Sequence, residues 1–287
     1  MIIGLTDSEA DCLNENCDLK NQINQFVNQN EVTLNDPELA FANTLIDQLS
    51  DSCGMDFEVD FDEQIIEDAT FLNNDCLRNM YIQAGGAETF ANYLNNFDGD
   101  MSVANLKLAA NPNLQDNVNA QTSAPENYLI TLEFNPNNLD RPSLSIARTF
   151  IHELIHAEIF RKLLSISQHP SINLNPNQVI QLRNDYPGLY DYYTRCRWNI
   201  PQGQNPSSPQ HEAMAQHYRD IIKSALREFD PNQPEEVYDA LLWDGLMGSG
   251  ELNYATGLYE NSTVAWTSLN ETERLSVISV RNNFNCE

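Results

Sequence analysis

Positive charge is scarce in this chain. Of its 287 residues, 15 are Lys or Arg and 42 are Asp or Glu, a formal net charge of −27. Such a field repels phosphate backbones and anionic lipid surfaces, so neither nucleic acid nor membrane is an expected partner. It attracts basic peptides and divalent cations, although its plainest consequence is solubility. Long apolar runs are missing as well, and none reaches the length of a membrane span. The start, Met1-Ile2-Ile3-Gly4-Leu5, has no basic flank, so no signal peptide is expected. The chain is then read as cytoplasmic, or as exported by another route or as part of a larger protein.

Cysteine pairs at metal-clip spacing are also absent. The six cysteines, Cys12, Cys17, Cys53, Cys76, Cys196 and Cys286, form no Cys-x-x-Cys. Their even number leaves disulfides and free thiols both open. The acidic run from Asp51 to Asp68 holds Asp56, Glu58, Asp60, Asp62 and Glu63. It lacks the Gly and the terminal Glu spacing of an EF-hand. A solvated acidic face is therefore expected, and a calcium-dependent surface module would rest on charge alone.

Histidine is rare, and two of the five stand in His152-Glu153-Leu154-Ile155-His156. This motif lies inside an apolar-periodic run from Leu144 to Leu164 that reads as a helix. Two residues four apart on a helix differ by only about 40° in direction, so both imidazoles can reach one metal ion. Glu153 points elsewhere and can act as general base on a metal-bound water. Apolar residues surround the motif on most sides, among them Phe150, Ile151, Leu154, Ile155 and Ala157. A helix of that kind is buried, and buried imidazoles without partners are costly. A metal ion removes the cost.

A catalytic zinc needs a third protein ligand and an open position. The extended metzincin pattern would need a Gly where Ile159 stands and a His where Lys162 stands, so that class is excluded. The best source further on is Gln210-His211-Glu212-Ala213-Met214-Ala215, opening a second helix that continues to about Phe229. Its apolar stripe is Met214, Ala215, Tyr218, Ile222, Ala225, Leu226 and Phe229, and His211 falls at the stripe's centre. Glu212 is the rival ligand, turned by about 100°. His217 and His169 remain further alternatives.

These stretches, with Tyr186-Pro187-Gly188-Leu189-Tyr190-Asp191-Tyr192-Tyr193 between them, resemble SprT-like zincin metallopeptidases of Bacteroidota. Many of those look like C-terminal regions of larger surface or Rhs-type proteins. The resemblance spans roughly residues 65 to 285. It implies a peptidase-like fold, with His152, His156 and a later His or Glu on zinc and Glu153 as base. The chain lacks the basic surface that SprT-like action on DNA-bound substrates would need.

The pattern along the chain predicts an α+β fold, mainly helical, with a small sheet beside the motif helix. Residues 1–64 read as an acidic, helical N-terminal extension, with helices near Asp18–Val27 and Pro37–Leu49 and a short strand around Val59. Residues 65–287 read as the zincin-like domain. Helices are expected over Cys76–Gln83, Glu88–Phe97, Val179–Cys196, Pro234–Leu246 and Asn270–Asn283, and strands over Met101–Leu108 and Tyr128–Phe134. Asn111–Asn127 reads as a polar loop, and the edge of the Tyr128–Phe134 strand as the place where an extended substrate pairs. The expected activity is hydrolysis of peptide bonds through a zinc-activated water, with Zn2+ on His152, His156 and His211 and a protein or peptide as substrate. The alternative is a zincin-shaped binding module that keeps metal and cleaves nothing.

Overall fold

A computed structural model describes residues 58–60, 65–97, 104–123, 125, 129–168 and 209–284, with 22–23 and 42 besides. The expected Val179–Cys196 helix, the Tyr186–Tyr193 stretch, His169 and most of the N-terminal helices lie outside these residues. The described chain is α+β, and among its residues no helix is long and apolar enough to cross a membrane.

Five strands form one sheet: β1 (Glu58–Asp60), β2 (Ile65–Glu67), β3 (Asn105–Ala110), β4 (Ala120–Thr122) and β5 (Leu129–Phe134). Their order is β1-β2-β3-β5-β4. The three inner strands run parallel, and β1 and β4 pair antiparallel at the two edges. β3 buries Leu106, Leu108, Ala109 and Ala110, with the half-buried Lys107 as its one break, as suits an internal parallel strand. β5 alternates instead, burying Ile130, Leu132 and Phe134.

Two sequence expectations need correction here. The Tyr128–Phe134 strand is not an edge: β5 is internal, flanked by β3 and β4. The edge is β4, inside the segment read as a polar loop. The reason lies in side-chain amides. Asn135 donates to the carbonyls of Gln115 and Val118, and Asn138 to those of Asp116 and Val118. These bonds satisfy backbone groups that no ladder reaches. They fold the 111–119 segment back so that Asn135 N–H meets Asn119 C=O at 2.9 Å and β4 follows alongside β5.

α1 (Ala69–Leu72), α2 (Asp75–Gly85) and α3 (Glu88–Leu94) follow β2. α4 (Ser143–Gln168) carries the histidine motif. Phe150, two residues before His152, anchors it. Its ring lies 5.6 Å from Phe90 of α3, 5.7 Å from Phe134 of β5 and 5.9 Å from Tyr81 of α2. Three elements thus grip one aromatic side chain, each pair contributing about 0.5–1.5 kcal/mol beyond the area it buries.

The single helix expected from Gln210 to Phe229 is two: α5 (Pro209–His217) and α6 (Arg219–Phe229), parted by a turn at Tyr218. The break lets α5 face α4 with Met214 and Ala215. α6 lays Ile222, Ala225, Leu226 and Phe229 into the core against α3 and α4. The helix expected over Pro234–Leu246 also ends early. α7 spans Glu235–Leu241, and tight turns follow to Leu246, where Gly245 takes φ +75°. A hairpin, β6 (Gly248–Asn253) and β7 (Leu258–Ser262), then leads to α8 (Val264–Thr267) and α9 (Glu271–Phe284).

Candidate metal centre

His152 and His156 stand one turn apart on α4, and α5 sets His211 against them. Nε2 of His152 lies 3.1 Å from Nε2 of His156 and 3.3 Å from Nε2 of His211. The rings meet at 47° to 70° rather than stacking. One ligand atom from each of the three falls within 4.8 Å of the other two. A tetrahedral zinc with Zn–N bonds of roughly 2.0–2.1 Å would hold its nitrogens about 3.3 Å apart. The two spacings from His152 fit that geometry.

The chemistry of the donors fits as well. Burial, with Arg148, His156 and His211 nearby, holds His152 well below the usual imidazole pKa. Burial first, then His156 and Arg148, lowers His211 to about 3. A neutral imidazole has one N–H and one lone pair, so three converging nitrogens cannot satisfy one another by hydrogen bonding alone. A cation held between them could take a lone pair from each.

Glu153 is buried and does not belong to this group. Its carboxylate turns to β4, where the Thr122 hydroxyl lies 2.7 Å from Oε2 and 3.1 Å from the Glu153 carbonyl. Burial raises its pKa to about 7, although the Thr122 hydrogen bond and the charge of Arg148 act to lower it. A carboxyl group poised there can both take and return a proton near neutral pH.

Behind the histidines sits a polar layer. Arg148, one turn before His152 and buried, places Nη2 3.5 Å from His152 Nδ1. Its Nη1 pairs with Asp244 at 3.4 Å, and Asp244 also pairs with Arg281 of α9 at 3.5 Å. Gly245 packs so close that a Cβ would come within 2.7 Å of Arg148 Nη2 and 3.2 Å of His152 Cε1. Together with its positive φ, this favours glycine and makes any side chain at 245 strained.

The structure therefore brings together His152, His156 and His211, with Glu153 beside them. His217 is exposed on the last turn of α5 and stands outside the group. The Glu212 side chain and His169 lie outside the described residues. Sequence reasoning gave Thr122, Arg148 and Asp244 no role at the site, and read Gly245 only as the end of the Pro234–Leu246 helix. Arg148 carried a signal, as a charge in an apolar helix four residues from His152. Thr122 carried none, because its partner is 31 residues away.

No protein-family model matches the chain, and it matches no curated protein and no solved structure.

Proposed function

We propose that the chain is a zinc-dependent metallopeptidase, with zinc on His152, His156 and His211 and Glu153 as general base. The observation that carries this reading is the convergence of three histidine ring nitrogens, with a buried carboxylate next to the group but outside it. A purely structural zinc site would close its fourth position with a further ligand and would have no use for a base. Zinc, when bound, supplies Lewis acidity: it makes water acidic and polarises the peptide carbonyl. Glu153 then takes the proton at Oε1, the oxygen that Thr122 does not engage, and returns it to the leaving amine.

The sheet supports a peptide as substrate. β4 is an antiparallel edge strand beside α4, and among the described residues no strand pairs with its outer side. An extended peptide can add there through main-chain hydrogen bonds. An α+β fold with an antiparallel edge strand next to the motif helix also agrees with the zincin-like, SprT-like reading.

Elemental analysis of the purified protein, with cleavage of an unfolded protein in the presence and absence of a chelator, tests the proposal. Near-stoichiometric zinc and chelator-sensitive hydrolysis are expected. Zinc without any hydrolysis would leave a metal-binding module in its place.

A further inference from the structure

Resting on the peptidase reading, we propose that Thr122 is a positioning residue: its hydroxyl clamps the general base from the sheet, fixing which oxygen of Glu153 faces the reacting atoms. A hydroxyl has one proton to give. The 2.7 Å distance to Oε2, against 3.1 Å to the Glu153 carbonyl, assigns that proton to the carboxylate. Oε2 is thereby committed, and Oε1 is the oxygen left for proton transfer.

The clamp is rigid on its own side. Thr122 pairs with Leu132 in the β4–β5 ladder, and the next residue donates from Ser123 N to Thr131 O at 2.8 Å. Its branched Cβ restricts χ1. The amide bonds from Asn135 and Asn138 brace the segment that leads into β4. Glutamate has three rotatable side-chain bonds, and its own helix constrains only the first of them well. A base whose terminal torsion is set by a second, separately anchored element keeps its geometry through proton transfer. The same bond ties the edge strand, where a peptide would lie, to the group that acts on it.

The alternative is that Thr122 merely pins β4 to α4. Isosteric Thr122→Val removes the hydroxyl and keeps the shape, and Thr122→Ser restores the hydroxyl without the methyl. Two readouts on zinc-loaded protein separate the roles. One is steady-state hydrolysis. The other is the affinity for acetohydroxamic acid by calorimetry, since this chelator must hand its proton to a neighbouring carboxylate.

Thr122→Val should keep its zinc, lose about 10- to 100-fold in kcat, and leave KM within about 2-fold. Thr122→Ser should recover most of that loss. Acetohydroxamate affinity should fall about 10-fold in Thr122→Val, and the substitution should add no loss in a Glu153→Ala background. Unchanged acetohydroxamate binding in Thr122→Val overturns the clamp. So does an equal loss with and without Glu153, a Thr122→Ser protein as impaired as Thr122→Val, or a Thr122→Val protein that no longer folds or holds zinc. Absence of hydrolysis in the parent removes the peptidase reading alone; the acetohydroxamate comparison then still decides the clamp.

Discussion

Arg148 stands against the back of His152, its Nη2 3.5 Å from the imidazole Nδ1, while Nε2 of the same ring faces the other two histidines. Burial, with this positive charge beside the ring, disfavours the imidazolium form of His152. Asp244 and Gly245 hold the guanidinium in place from the far end of the chain.

Gly245→Ala tests that packing. A methyl group would meet Arg148 Nη2 at 2.7 Å and His152 Cε1 at 3.2 Å, on a backbone at φ +75°. Left-handed strain plus the displacement should cost about 1–3 kcal/mol, read as a lower Tm, together with weaker zinc in a chelator competition. Unaltered Tm and zinc affinity would show that Arg148 moves aside freely and does not order the ring.

Glu153→Gln should bind zinc like the parent and lose at least about 100-fold in hydrolysis, because the amide cannot accept a proton. Equal cleavage of a sensitive substrate by the variant and the parent would remove the base mechanism.

His211→Ala should deplete zinc sharply, while Glu212→Ala should leave most of it bound. Three protein ligands leave no spare donor, so removing one removes much of the affinity. The opposite pattern in elemental analysis would transfer the third ligand to Glu212.

The motif histidines and His211 were legible in the sequence because helical periodicity is local: His152, His156 and the stripe of Met214 and Ala215 each follow from the residues next to them. The phase of His211 was read on one continuous helix, and it holds within α5 despite the turn at Tyr218. Long-range partners were not legible. β4 has only three residues, too few to show an alternation, and its place depends on the amides of Asn135 and Asn138. The β6–β7 hairpin was missed although its ends carry readable turn chemistry. Gly257 sits at φ +68°, and the Asn253 carboxamide accepts from Ala255 N. Its strands are Gly-, Ser- and Asn-rich and half exposed, so apolar patterning does not reveal them.

Outside the centre, Asp68 gives a pH-dependent prediction. Burial pushes its carboxyl up, but the Thr70 hydroxyl and N–H and the Lys107 ammonium outweigh this and hold it below the ordinary aspartate value. A carboxyl lowered in the folded state contributes stability above its unfolded pKa of about 3.9 and loses it as pH falls through the folded value. Asp68→Ala should therefore be less stable than the parent by about 1 kcal/mol near neutral pH, from the lost helix cap. The gap should narrow in denaturant titrations below about pH 4. A gap that is constant with pH would mean that the charge of Asp68 contributes nothing.

His152 and His211 are separated by 59 residues of chain, yet their Nε2 atoms lie 3.3 Å apart. A metal held by both would act as a reversible cross-link closing that loop. Loop closure costs entropy that grows with the logarithm of loop length, so the link stabilises the folded chain by withholding freedom from the unfolded one. His152 and His156, fixed by one helix, can capture the ion first, with His211 arriving as α5 docks. Stripping the metal should loosen α5 before the sheet: amide hydrogen exchange should accelerate over 209–217 and stay slow in β3 and β5. The ion that serves the chemistry would thus also set the order in which this protein comes apart.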